Sequence, residues 1–312
     1  MGASILPRGL IVDLISPVMA DGSIDGKGLG RHLDRLIPYV QGVLISGPDA
    51  GEGTQLSIEQ RTDLFDKTLV VVRGVIPVFV WITGNSEEDT HKILDSLQKK
   101  YAARKYTGTI FWVDTPLYYH SNRGLPGYYE KLVSRFDENI VLHNNPDLIC
   151  KIDKTLKRKN IRTSILKELS ENLKIAGLIF SGSLERSYNY KKAVRARSEF
   201  AVYDGDESIF LDYPGKSGVV SIGANIAPGE WSKITELSLN QNNENTYPDQ
   251  LQQMWGMWRF LSELKSLYES RSPEIIKKVL GELGVISPGS EDGSEDVREA
   301  VGKIEERLIH RR

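Results

Sequence analysis

The chain has 312 residues, 40% hydrophobic and 26% charged, with a formal net charge of −2. This is the make-up of a globular protein with one sizeable core and room for an appendage, and it leaves no basic footprint for nucleic acid. The single cysteine, Cys150, excludes an internal disulfide framework or a CxxC metal site. The apolar runs fall short of the ~20 residues a membrane-spanning helix needs. No secretory leader pattern opens the sequence, so the expected location is cytoplasmic and the expected partner a small molecule, with no nucleic acid and no membrane.

Eight short apolar segments, at residues 9–15, 42–46, 77–82, 109–113, 139–143, 175–180, 200–204 and 218–222, read as strands and alternate with amphipathic helical stretches. In the second helix Ser57 and Gln60 form a capping-box pattern, and Leu64, Phe65, Thr68, Leu69 and Val72 recur at helical spacing. Ser86 and Asp89 open the third in the same way, ahead of Ile93, Leu94, Leu97 and Tyr101. Eight such units predict an α/β fold, a closed (β/α)8 TIM barrel, with its chemistry on the loops at the carboxyl ends of the strands. After Pro228 the alternation stops. Leu251 to Tyr268, a segment after Pro273, and Val297 to Ile309 read as helices without strands between them, and the acidic stretch SPGSEDGSED reads as an exposed loop. Residues 1–228 are thus expected to form the barrel and residues 229–312 a C-terminal helical region.

Six stretches carry a resemblance. They are GLIVDLISPVMADGSID (Gly9 to Asp25), GVLISGPDAGEGTQLSIEQ (Gly42 to Gln60), PVFVWITGNSEED (Pro77 to Asp89), TIFWVDTPLYYHS (Thr109 to Ser121), IVLHNNPD (Ile140 to Asp147), and the pair FAVYDGDE and GVVSIGANIAP near strands 7 and 8. In this order they resemble the dihydrodipicolinate synthase/N-acetylneuraminate lyase family of class I aldolases. That resemblance independently implies the barrel, and it implies aldol cleavage or condensation of a 2-keto acid, usually pyruvate, through a lysine imine at the end of strand 6. No cofactor is implied, and a homodimer or homotetramer is.

The family's strand 6 reads G-I-K-x-x-S-G. Here Gly177, Leu178 and Ile179 stand in the corresponding places, with Ser181 and Gly182 following one residue early. An aliphatic side chain cannot form an imine, so the Schiff-base mechanism is expected to be absent. Lys174 lies at the start of the strand, ~16 Å of extended chain below its end, and belongs to the opposite mouth. Lys216 precedes strand 8 and has the same difficulty, while Lys191 and Lys192 read as residues of a solvated helix face.

Other positions depart too. The tyrosine of the family's YNVP is His143 here, which stands either as a proton-transfer group or as a neutral, hydrogen-bonded barrel residue. The arginine expected after that motif is absent, and Asp147, Leu148 and Ile149 stand in its region. The GTTGE-type loop keeps Gly47, Gly51 and Glu52 but carries Pro48, Asp49 and Ala50 in place of the paired threonines. Its backbone amides can still hold a carboxylate, which an inward Asp49 would oppose. Tyr118 and Tyr119 both match the tyrosine of the TPYY segment. The resemblance therefore implies His143, Tyr118 and Tyr119 as catalytic candidates, and Gly47, Asp49, Ala50, Gly51, Glu52, Ile179, Gly205, Asp206 and Val220 as ligand-lining positions. His120, His143, Asp49, Glu52, Asp204 and Asp206 could converge at the mouth, but none shows a metal-ligand spacing, so no metal is expected. Two functions stay open: altered lyase-type chemistry on a small carbonyl or carboxylate metabolite, and a non-catalytic metabolite-binding or regulatory homologue.

Overall fold

Alternating apolar residues along eight strands give each strand one face for the barrel interior and one for the surrounding helices. The computed structural model describes residues 5–152, 158–240, 248–288 and 294–309. The strands are β1 (Gly9–Asp13), β2 (Gly42–Ile45), β3 (Val78–Trp81), β4 (Ile110–Asp114), β5 (Asn139–Asn144), β6 (Ile175–Phe180), β7 (Ala201–Asp204) and β8 (Gly218–Ser221). All neighbours are parallel, and β8 pairs with β1, closing the barrel in chain order. Each expected strand forms, most of them a residue or two shorter than the apolar run that signals it.

The helices around the barrel are α1 (Gly26–Leu36), α2 (Ile58–Val72), α3 (Glu87–Arg104), α4 (Leu125–Val133), α5 (Pro146–Cys150), α6 (Thr163–Leu169), α7 (Leu184–Ala193), α8 (Glu207–Asp212) and α9 (Pro228–Leu239). Ser57 accepts from the Gln60 amide at 3.1 Å and the Gln60 side chain accepts from the Ser57 amide at 2.9 Å, so the capping box is complete. Ser86 caps α3 through the Asp89 amide at 3.0 Å. α2 buries the apolar stripe that its spacing defines, and α3 buries Ile93, Leu94 and Leu97 while Tyr101 is half-buried.

Two apolar layers result. Ile11, Leu44, Phe79, Trp81, Phe111, Val113, Val141, Ile179, Tyr203 and Val220 fill the barrel interior. A larger layer lies between the strands and the helices and continues into α10 (Pro248–Tyr268), α11 (Ser272–Glu282) and α12 (Glu295–Ile309) through Leu261, Tyr268, Ile276 and Ile304. The last part of the acidic stretch is helical, because Glu295 and Asp296 form the first turn of α12, where carboxylates favour the amide end. Residues 289–293 of that stretch, and 241–247 of the polar run before α10, lie outside the described residues. Among the described residues no helix is long and apolar enough to cross a membrane.

Candidate active site

The carboxyl ends of β5 and β6 set the centre of the site. A register shift between Ile140 and Val141 brings Val141 opposite Gly177 and His143 opposite Ile179, and Ile179 in turn pairs with Tyr203 on β7. Ile179 belongs to the interior layer and is 2% exposed. The one inward position at the end of β6 is thus an aliphatic side chain, and among the described residues no lysine is buried. Lys174 lies below β6, where its ammonium donates to the carbonyls of Val133, at 3.2 Å, and Phe136. Lys191 reaches the carboxyl end of β7, but it meets the outward-facing Asp204 at 3.4 Å in the layer outside the barrel. It is less solvated than its helix pattern suggests because that carboxyl needs a partner.

His143 is buried, and burial pushes its imidazole down to about 4, so the ring is neutral near pH 7. Its Nδ1 lies 2.9 Å from Thr115 Oγ1, which also accepts from Trp81 Nε1 at 2.8 Å. The Thr115 amide donates to Thr83 Oγ1 at 2.7 Å, and the Thr83 hydroxyl donates to Asp114 Oδ1 at 2.7 Å. Asp114 faces outward at the end of β4. Its Oδ2 accepts from Tyr119 and Tyr129, each at 2.7 Å. Burial raises the Asp114 carboxyl, and these three hydroxyls work against that rise.

The two candidate tyrosines therefore part. Tyr118 presents its ring edge-on to Trp81, with centroids 6.4 Å apart, and belongs to the mouth. Tyr119 turns away into the Asp114 cluster, and its hydroxyl also meets Tyr128 at 2.9 Å. Burial and the Asp114 charge raise the Tyr119 hydroxyl well above its ordinary range. Tyr128 forms one wall of a separate cavity of about 520 Å³ between α3 and α4, where Glu87, His91, His120 and Arg135 also stand.

The strand-2 loop folds tightly around its glycines. Ser16 Oγ donates to the Gly51 carbonyl at 2.7 Å, and the Gly53 amide to the Gly47 carbonyl at 2.8 Å. Asp49 accepts from Asn145 Nδ2 at 3.1 Å, and burial raises its carboxyl. Glu52 has a φ of 50° and pairs with Lys277 of α11, so the loop is tied to the C-terminal helices. Gly205 accepts from Ser181 Oγ at 3.0 Å, while Asp206 caps α8 through the Ser208 amide at 2.8 Å. Val220 lines the interior. Of the expected residues, the mouth brings together His143, Ile179, Val220, Tyr118, Gly47 and Ala50. Tyr119, Glu52 and Asp206 make their contacts elsewhere.

Three residues of the mouth carry weight that the sequence pattern did not give them. Trp81 fills the interior at the end of β3, and the buried Arg61 guanidinium stacks on it at 4.9 Å while donating to the carbonyls of Thr83, at 2.9 Å, and Gly53. Burial lowers that guanidinium to about 10. Asp13, which ends β1 on its inward face, is 5% exposed and accepts from the Ala50 amide at 3.2 Å. An ionisable residue closing an apolar strand was the signal available for it.

A closed parallel barrel with hydroxyls and ionisable groups at the carboxyl ends of its strands defines a (β/α)8 barrel protein. The dihydrodipicolinate synthetase family model matches residues 6–290, and the chain belongs to that family. It is 27% identical over 245 residues to 4-hydroxy-tetrahydrodipicolinate synthase of Staphylococcus saprophyticus, covering 76% of each chain. Its fold is similar to that of dihydrodipicolinate synthase from Thermotoga maritima, with a TM-score of 0.78 at 21% identity over 97% of this chain and 99% of that one. The pyruvate complex of the chloride-inhibited enzyme from Acinetobacter baumannii is similar to the same degree, at a TM-score of 0.77 and 20% identity over 97% and 99% of the two chains.

Proposed function

We propose that this family member works without a lysine imine, and that its barrel mouth takes a small carbonyl metabolite on which His143 moves a proton in an altered lyase-type reaction. The observation that carries this reading is the pairing of Ile179 with His143 across β5 and β6. Imine formation needs a partly desolvated amine inside the mouth, and Ile179 cannot provide one. A neutral imidazole held at Nδ1 by Thr115 has the fixed orientation that acid–base transfer requires. Tyr118, whose ring meets Trp81, is the second group we place at the substrate.

The interior packing of Trp81 and Tyr203 favours a second reading, a non-catalytic metabolite-binding homologue. The two separate in one experiment: exchange of the α-proton of small ketones and aldehydes in deuterated water, followed by NMR. Exchange that is lost in His143→Asn but kept in Tyr119→Phe supports proton transfer at His143. A ligand that shifts the melting temperature without exchange in the wild type supports binding alone. Assembly through the Tyr118 segment into a homodimer or homotetramer belongs to the same reading, and sizing chromatography tests it.

A further inference from the structure

Several donors of the strand-2 loop are already engaged. Pro48 has no amide proton, the Glu52 and Gly53 amides bond within the loop, and the Ser16 hydroxyl is spent on the Gly51 carbonyl. The Ala50 amide does point inward, and a carboxylate already accepts from it, that of Asp13. The fit is close: a Cβ on Gly47 would overlap Asp13 Oδ1, so only glycine leaves room for the carboxyl. Asp49 stands on the same loop as a second acidic group. Asp13 Oδ1 is buried without a hydrogen-bond partner, closed in against Gly47.

We infer that Asp13 is the specificity-determining residue of this mouth: its carboxyl takes the seat that the Ala50 amide would give a ligand's carboxylate, so the site refuses acid anions and accepts uncharged small molecules. A free carboxylate entering the mouth finds the Ala50 amide already engaged, so the cost of desolvating it is not offset there. This inference rests on the barrel mouth being the ligand site, as proposed above.

The test is chemical rescue. Asp13→Ala opens the seat, and sodium formate or acetate, set against sodium chloride at equal ionic strength, should raise its melting temperature saturably by about 2–4 °C. The wild type and Asp13→Asn, which keeps the seat filled, should show no such rise. Asp13→Ser opens the same space should the alanine variant fail to fold. Equal carboxylate stabilisation of the wild type, or none in either opened variant, overturns the inference. Trapping of pyruvate on a wild-type lysine by borohydride would instead overturn the proposed function, so the two failures are distinct.

Discussion

His143→Asn should make the protein less sensitive to acid. In the folded protein burial holds the imidazole at about 4, against 6.5 for the ordinary group, and no charged neighbour contributes to that shift. The unfolded chain therefore takes up a proton that the folded barrel refuses. The stability this confers is fully present above pH 6.5 and is lost as the pH falls through the folded value. At 1.36 kcal/mol per pKa unit the gap corresponds to about 3 kcal/mol, of which about 2.5 kcal/mol is lost by pH ~4.5. His32, buried on α1 and bonded to Asn225 at 2.9 Å, is likewise lowered to about 4 and contributes a similar loss in both proteins. Urea unfolding at pH ~7.5 and ~4.5 measures the difference directly. The wild type should lose about 2.5 kcal/mol more between the two conditions than His143→Asn, whatever the variant costs at neutral pH. An equal loss in both proteins would mean that His143 is charged or solvated in the folded state, and the site geometry would be wrong.

Three further outcomes follow from the contacts around the mouth. Asp114→Ala strands the hydroxyls of Thr83, Tyr119 and Tyr129, and should cost on the order of 3 kcal/mol or more in urea unfolding. Asp114→Asn keeps one acceptor oxygen and should lose less; a loss under about 1 kcal/mol for the alanine variant would contradict the network. Tyr268→Phe removes the bond of 2.6 Å from α10 to the buried Glu207, a group also held by Ser221 and the Gly223 amide. It should lower stability by about 2 kcal/mol while leaving a single melting transition; an unchanged midpoint would mean that α10 does not clamp the barrel. Ser57→Ala breaks the capping box of α2 and should cost about 1 kcal/mol, with Gln60→Ala showing a partial loss of the same kind.

Much of the barrel was legible because its signals are local. An apolar run bounded by turn residues forms a strand wherever it can be covered, and the Ser57 and Ser86 caps act within four residues of themselves. The inward direction of Ile179 follows from strand alternation, and the register with His143 agrees with it. The residues that escaped do their work through space. Asp13 acquires its role from a loop 37 positions away in sequence, where the Ala50 amide meets it. Glu52 matches the glycine-rich loop pattern, yet its positive φ and its pairing with Lys277, 225 positions on, carry it to the C-terminal helices. Tyr118 and Tyr119 are adjacent in sequence and equivalent by motif. Only the position of Asp114 behind the sheet decides that one hydroxyl turns outward while the other ring stays against Trp81. Lys191 looked solvated by helix pattern because its partner Asp204 comes from a different element.

The most direct measurement concerns β6 itself. The wild-type protein is incubated with pyruvate, reduced with borohydride and weighed intact, then digested to locate any modified residue. With Ile179 at the inward position and no buried lysine among the described residues, the expected result is an unchanged mass. A pyruvyl adduct reduced onto a lysine, above all Lys191, would contradict the claim that this barrel has left imine chemistry behind.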